Sequence, residues 1–389
     1  MSSSQTYSPF RSVLLREWRR MTSRRLYLCV CITLPLFTLF FMATIFGNGQ
    51  MENIPIGIVD QDNTASSRAI TRNISAVPTF KVTRHFVNEE AARKAVQKKE
   101  IYGYLSIPPK FEQDAISGKN ATLSYYYHYA LLSVGGELMA AFETSLSPIV
   151  MQAVALGVEQ DKITTFLLPV QASNHPIYNP SLDYSVYLSQ PFFFVLFQVL
   201  ILLITVYAVG IEIKFRTADE WLFVAKGNMV TAVLGKLLPY TIIFILIGWL
   251  ANYVMFGILH IPFQGSWLLM NMLTALFVVA TQALGLFLFS LFPAISLIIS
   301  IVSMVGSLGA TLSGVTFPVP NMYPLVRDAS YLFPVRHFTE MMQNMLYGGS
   351  GFIHLWPSAV ILCIFPLLAL VLLPHLKRAI ESHKYEKIK

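Results

Sequence analysis

Residues 237–326 read LLPYTIIFILIGWLANYVMFGILHIPFQGSWLLMNMLTALFVVATQALGLFLFSLFPAISLIISIVSMVGSLGATLSGVTFPVPNMYPLV, a run without a single Asp, Glu, Lys or Arg. About 20 apolar residues already cross the hydrocarbon of a bilayer, so a charge-free stretch this long predicts several membrane helices in succession. The polar, Gly/Pro-containing residues 260–266 and the turn at Pro293 divide the run. Three spans follow within 237–317, and segments of the same character at 26–46, 187–211 and 355–374 bring the predicted number to six. The first is too long for a signal-peptide core and lacks a small-x-small cleavage site, which predicts a retained helix.

Composition agrees with this reading. The 389 residues are 54% hydrophobic and only 13% charged, with a mean hydropathy of +0.56, whereas about a quarter of a soluble domain is charged. The 28 Lys and Arg exceed the 21 Asp and Glu, but they flank the apolar segments, which points to membrane lipid rather than nucleic acid. Cys29, Cys31 and Cys363 all fall in predicted spans, so no disulfide framework and no CxxC metal knuckle is expected.

Residues 1–25 predict a cytoplasmic amphipathic interfacial helix, with Phe10, Val13, Leu14 and Trp18 near one stripe and Arg11, Arg16, Arg19 and Arg20 largely elsewhere. Residues 47–186 change to the pattern of an inserted α/β domain. Strands are expected at 54–60, 80–84, 101–107 and 122–127. Helices are expected from the caps Asn63 or Thr64 to about Val77, from Asn88 over 89–99, from Pro108 and Pro109 to near Gly118, and over about 131–160.

Orientation comes from the distribution of Lys and Arg. Six lie in the first 25 residues, four in 212–236 and five after Pro374. These three segments share one side only if the number of spans is even, and six satisfies this. Both termini are then cytoplasmic, 212–236 is a cytoplasmic segment, 375–389 a basic cytoplasmic tail, and 47–186 and 318–354 lie outside. The expected fold class is a polytopic α-helical membrane protein of six transmembrane helices with an inserted extracytoplasmic α/β domain.

The chain contains no G-x-x-x-x-G-K-[ST] phosphate loop, and its predicted spans carry no paired carboxylates, Lys or Arg of the kind that ion-coupled transporters use. No catalytic, cofactor-binding or metal residue is expected. A chain that moves solutes uphill on these terms draws its energy from a partner. In 212–236 the sequence has Glu212, Lys214, Arg216, Thr217, Asp219, Glu220, Trp221 and Leu222, and then Gly235, Lys236 and Leu237.

This segment and the layout around it resemble the permease subunits of ABC-2 type ATP-binding cassette exporters, in which a Gly-Thr-x-Glu-x-Leu-like helix precedes a Gly-Lys-Leu that opens the third span. Arg216 stands where that family usually has Gly, and Val224 and Ala225 stand where it has Ser/Thr-Pro. The resemblance covers the whole layout, including Ile54–Asp60 at the start of the outer domain and the Pro-rich segment before the last span. It implies a separate nucleotide-binding ATPase subunit that holds the ATP and Mg, and pairing with a second copy or sister permease. Export and a bacterial inner-membrane location also follow from it, as does ATPase coupling through Arg216, Thr217, Asp219, Glu220, Trp221 and Leu222. An adaptor protein outside the membrane fits the same layout, and related permeases place short re-entrant helices in 318–354.

Two further patterns have competing readings. Gln190, Gln198, Asn252, Asn271 and Gln282 lie on predicted spans, where they line a pathway or bond one another between helices. Asp60, Asp62 and Thr64 form D-x-D-x-T after an apolar strand, the nucleophile motif of haloacid-dehalogenase-type phosphatases, which makes a membrane-anchored outer enzyme the alternative function. The remainder of that machinery is not evident, and turn and capping chemistry accounts for the same residues.

Overall fold

A computed structural model of the chain describes residues 8–45, 51–117, 122–128, 132–155, 188–348 and 352–382. The chain forms two compact units, Met1–Gly47 with Tyr184–Lys389, and Asn48–Asp183. The end of the helix expected over 131–160, the start of the span at 187 and the last residues of the basic tail lie outside the described residues.

Among the described residues of the first unit, six helices are long and apolar enough to cross a membrane: Arg25–Ile45, Gln190–Lys214, Met229–Ile258, Trp267–Leu291, Ile295–Leu312 and Leu355–Glu381. A helix α1 (Pro9–Ser23) precedes them, and α2 (Arg25–Leu28), a π-helical turn and α3 (Leu34–Ile45) make up the first. In the second unit, strand β1 (Ile54–Asp60) lies parallel to β2 (Phe80–Phe86) and β3 (Gly103–Ile107), and β4 (Ser124–Tyr127) runs antiparallel to β3, giving the order β2-β1-β3-β4. Helices α4 (Ala65–Ser75), α5 (Glu89–Gln97), α6 (Phe111–Ile116) and α7 (Leu132–Ala155) complete this unit.

Both faces of the sheet are covered. Ile54, Ile56 and Leu105 pack with Ile70, Ile74, Leu138 and Phe142 on one face, and Val59 and Tyr104 with Ala92 and Ala95 on the other. Strands buried on both faces read as continuous apolar runs, which is why Ile54–Asp60 stood out in the sequence. Local chemistry sets the helix starts. Thr64 forms a capping box with Ser67, and the Asn88 side chain accepts from the Ala91 N–H. The helix expected to open at Pro108 and Pro109 begins at Phe111, after Lys110 in the left-handed region.

The membrane unit continues with α8 (Gln190–Lys214), α9 (Ala218–Val224), α10 (Met229–Asn252), α11 (Trp267–Leu291), α12 (Ile295–Leu312), α13 (Pro324–Ser330), α14 (Pro334–Gly348) and α15 (Phe352–Glu381). Helices α8 and α11 form its centre, where Phe193, Phe194, Phe197, Phe244, Phe277 and Phe338 are fully buried. Helix α14 packs into this centre, with the Phe338 ring 4.6 Å from both Phe194 and Phe277. Glycines allow a close approach between α12 and α8. A Cβ on Gly306 would lie 2.9 Å from Val199 Cγ2, and one on Gly309 would lie 2.7 Å from Gln198 Nε2.

Two helix limits differ from the sequence expectation, and both bring charge into the bundle. Helix α8 runs on to Lys214 and includes Glu212, while α10 begins at Met229 instead of 237 and includes Lys236. Asn228 caps α10 early, its Oδ1 accepting from the N–H groups of Val230 and Thr231 at 3.0 and 3.2 Å. Glu212 and Lys236 are accommodated within these helices because their charges neutralise one another inside.

Candidate functional site

Four elements converge on Glu212, which is fully buried at the end of α8. From α1, Arg16 donates to both of its oxygens, Nη1 to Oε1 at 3.0 Å and Nη2 to Oε2 at 3.2 Å, and Arg20 Nη1 also donates to Oε1. From the turn before α9 comes the hydroxyl of Thr217, and from α10 Lys236 Nζ at 2.7 Å. Lys236 also reaches Glu17 Oε2 at 2.6 Å, and the other oxygen of Glu17 accepts from Tyr240 Oη at 2.6 Å.

Glu17, Glu212, Lys236 and Tyr240 are each 0–1% exposed. Charges so deeply buried persist only when paired and hydrogen-bonded. Three cations face two buried carboxylates here, and exposed Glu220, 3.5 Å from Arg16 Nε, supplies a third negative charge. Burial alone would lower the pKa of Arg20, but the carboxylates of Glu212 and Glu17 outweigh it and hold the guanidinium above its ordinary value.

The backbone explains two features of the sequence. Arg216 has φ +55° in the turn after α8, the left-handed region that favours glycine, at the position where the ABC-2 permeases usually carry Gly. Gly235 lies where α1 crosses α10, and a Cβ there would sit 2.9 Å from Val13 Cβ. The Gly-Lys pair therefore places a close helix contact beside a buried charge.

Helix α9 is pinned by this joint. Trp221 is fully buried, its Nε1 donates to the Ala232 carbonyl at 3.1 Å, and Lys236 Nζ lies 5.4 Å above its ring. Leu222 is buried as well, so neither Trp221 nor Leu222 presents its side chain to a docking partner. Arg216, Asp219, Glu220 and Phe223 are exposed, and Phe223, at 83%, is the prominent apolar residue of the helix. Phe223 and Val224 line a shallow groove of about 450 Å3 with Pro9, Ser12, Lys226 and Gly227. Sequence reasoning named the α9 residues and quoted Lys236 in the motif, but assigned no role to Glu17, Lys236 or Tyr240. The available signal was a Glu among the arginines of 8–25 and a lone Lys at the edge of a charge-free run.

The polar residues of the spans divide into three groups. Gln190 Nε2 donates to Asn252 Oδ1 at 3.2 Å, and Asn252 Nδ2 donates to Asn271 Oδ1 and Thr274 Oγ1, both at 3.0 Å, a chain that ties α8, α10 and α11 together. Gln282 accepts from Thr241 at 2.7 Å, and Gln198 accepts from the Val335 N–H at 2.9 Å. In the other unit, Asp60 Oδ1 accepts from the N–H groups of Asp62 and Asn63 and Oδ2 from Ser67 Oγ, while Asp62 Oδ2 accepts from Thr64 Oγ1 and the Glu112 N–H. Both carboxylates are occupied with turn and cap chemistry, and Asp60, surrounded by donors, makes a poor nucleophile.

Six apolar helices around a buried centre, with a charged joint at one end, define a multi-pass membrane protein. The profile of the family described as ABC-2 family transporter protein matches residues 24–373, and the chain belongs to that family. Three relatives from Escherichia coli strain K12 are similar along most of their length. They are the "Probable multidrug ABC transporter permease YbhS", 22% identical over 87% of this chain and 89% of its own, and YbhR, of the same description, 22% identical over 92% and 91%. The "Inner membrane transport permease YhhJ" is 23% identical over 80% and 81%. The chain is therefore a transporter permease subunit.

Proposed function

We infer that this permease is the membrane subunit of an exporter in a bacterial inner membrane, working as a pair of permeases driven by two separate ATPase subunits. The observation that carries this reading is the joint of Glu17, Glu212 and Lys236. It binds α1, α8, α9 and α10 into one body while Asp219, Glu220 and Phe223 face outward beside a groove. An ATPase seated on α9 would move these helices together, passing the free energy of ATP binding into the bundle as rigid-body motion. ATP and Mg belong to that partner.

In this reading α1, α9 and the end of α15 are cytoplasmic and the α/β unit lies outside the membrane, open to an adaptor protein. The seam with a second copy or sister permease is assigned to α12. Its exposed face carries Ser300, Ser303, Ser307 and Thr311, each bonded back to a carbonyl four residues earlier. A hydroxyl stripe suits a protein contact better than lipid. Amphipathic cargo fits six spans whose buried charges, among the described residues, are confined to Glu212 and Lys236 at the joint, and two of the relatives are named for multidrug transport.

The test is purification from native membranes in mild detergent with identification of stoichiometric partners. An ATPase bearing a Walker motif is expected to co-purify, and to be lost with Phe223→Ala and Asp219→Ala together while the permease stays folded. Preparations free of any ATPase even after crosslinking would refute the assignment.

A further inference from the structure

We propose that the crevice at the carboxyl ends of β1 and β2 binds a phosphate-type oxyanion carried on an apolar group. The crevice has a volume of about 850 Å3. Parallel register pairs Ile58 with His85 and Val59 with Phe86, so the two strands end side by side and open the crevice at their carboxyl ends.

Arginine and histidine side chains reach it from two elements. Arg68 and Arg72 stand one helical turn apart on α4 with Thr71 beside them, and His85 comes from the end of β2. Arg68 is pre-ordered, its Nη1 donating to the Asn63 carbonyl at 2.8 Å, which leaves the rest of its planar fork for an anion. The one carboxylate at the crevice is Asp60. Its two oxygens already accept from two backbone N–H groups and from Ser67 Oγ, so it is turned to the loop and competes little for the arginines.

The apolar part of the ligand is inferred from the rim. Val87 is 89% exposed at the end of β2, next to half-buried Phe86. Two guanidinium groups, a hydroxyl and an imidazole beside an uncovered valine match a phosphate monoester with a short alkyl chain. This inference does not depend on coupling to an ATPase, since the site is complete within the α/β unit.

The experiment is equilibrium dialysis of the full-length protein in phosphatidylcholine nanodiscs against radiolabelled hexyl phosphate and, separately, inorganic phosphate. Saturable, stoichiometric binding of hexyl phosphate is expected. R68Q/R72Q, at two exposed positions, should weaken it at least tenfold, since loss of one charge-assisted contact alone is worth about that factor. Lys81→Gln, an exposed cation on β2 that does not line the crevice, should leave binding unchanged. Tighter binding of hexyl phosphate than of inorganic phosphate is expected from the apolar rim, and equal binding of the two would overturn the apolar part of the proposal. Absence of saturable binding up to about 10 mM, or binding that R68Q/R72Q retains, would overturn the proposal.

Discussion

Replacing Lys236 by Met removes the one cation that touches both buried carboxylates, at 2.6 Å from Glu17 and 2.7 Å from Glu212. The two are not left equally exposed to the loss. Glu212 keeps Arg16, Arg20 and Thr217, whereas Glu17 keeps the Tyr240 hydroxyl. Truncating one partner of a buried pair costs about 3–5 kcal/mol, chiefly through the charge left behind. At about 2 °C per kcal/mol for a chain of this size, the unfolding midpoint of Lys236→Met should fall by roughly 6–10 °C. Adding Glu17→Gln removes the stranded charge and should recover more than half of that loss, because a neutral amide still bonds Tyr240. The assay is a double-mutant cycle on thermal unfolding of the detergent-purified protein. A single variant as stable as wild type would show that the two carboxylates do not depend on Lys236, and a double variant no better than the single would refute the stranded Glu17 charge as the origin of the loss.

Three further outcomes follow from the same geometry. Trp221→Phe removes the indole hydrogen bond to the Ala232 carbonyl and should cost about 0.5–1.5 kcal/mol in thermal unfolding, while Phe223→Ala should change stability by less than about 0.5 kcal/mol. Gly235→Val drives a side chain into Val13 and should cost about 1–3 kcal/mol, with increased proteolysis of α1 as a second readout. His337, outside the six spans, has its pKa held below its ordinary 6.5 by burial, assisted by Arg336 and opposed by the Tyr331 carbonyl and Glu340. The unfolded chain therefore binds the proton more readily than the folded one, so stability present above about pH 6.5 falls as the pH drops below that value. A melting series from pH 7.5 to 5 should show this slope, and His337→Gln should flatten it.

Much of the membrane unit could be read from hydropathy alone. Two of the helices start at Trp267 and Ile295, just past the divisions read at residues 260–266 and Pro293, because Ser266 and Pro293 mark them locally. The limits at Lys214 and Met229 did not follow from composition. Charge was taken as a sign of exposure, and at Glu212 and Lys236 it is buried by mutual pairing across 24 positions. Similarly, the arginines of α1 were expected at lipid, yet Arg16 and Arg20 turn toward Glu212. The apolar residues of α9 were expected to face a partner together, but a helix of seven residues has an inside and an outside, and only packing assigned Trp221 and Leu222 to one and Phe223 to the other.

What the sequence determined by itself is therefore whatever depends on local composition and period: six apolar spans, a polar α/β insertion, the caps at Thr64 and Asn88, and the absence of a phosphate loop. Tertiary structure alone decided which distant residues meet. The joint of Glu17, Glu212, Lys236 and Tyr240 draws on three helices, with 219 positions between Glu17 and Lys236, and the glycines at 306 and 309 serve a contact within the chain. The reason is physical: solvation and helix propensity act on neighbours in sequence, whereas burial of a charge is tolerated only where a second element supplies its partner.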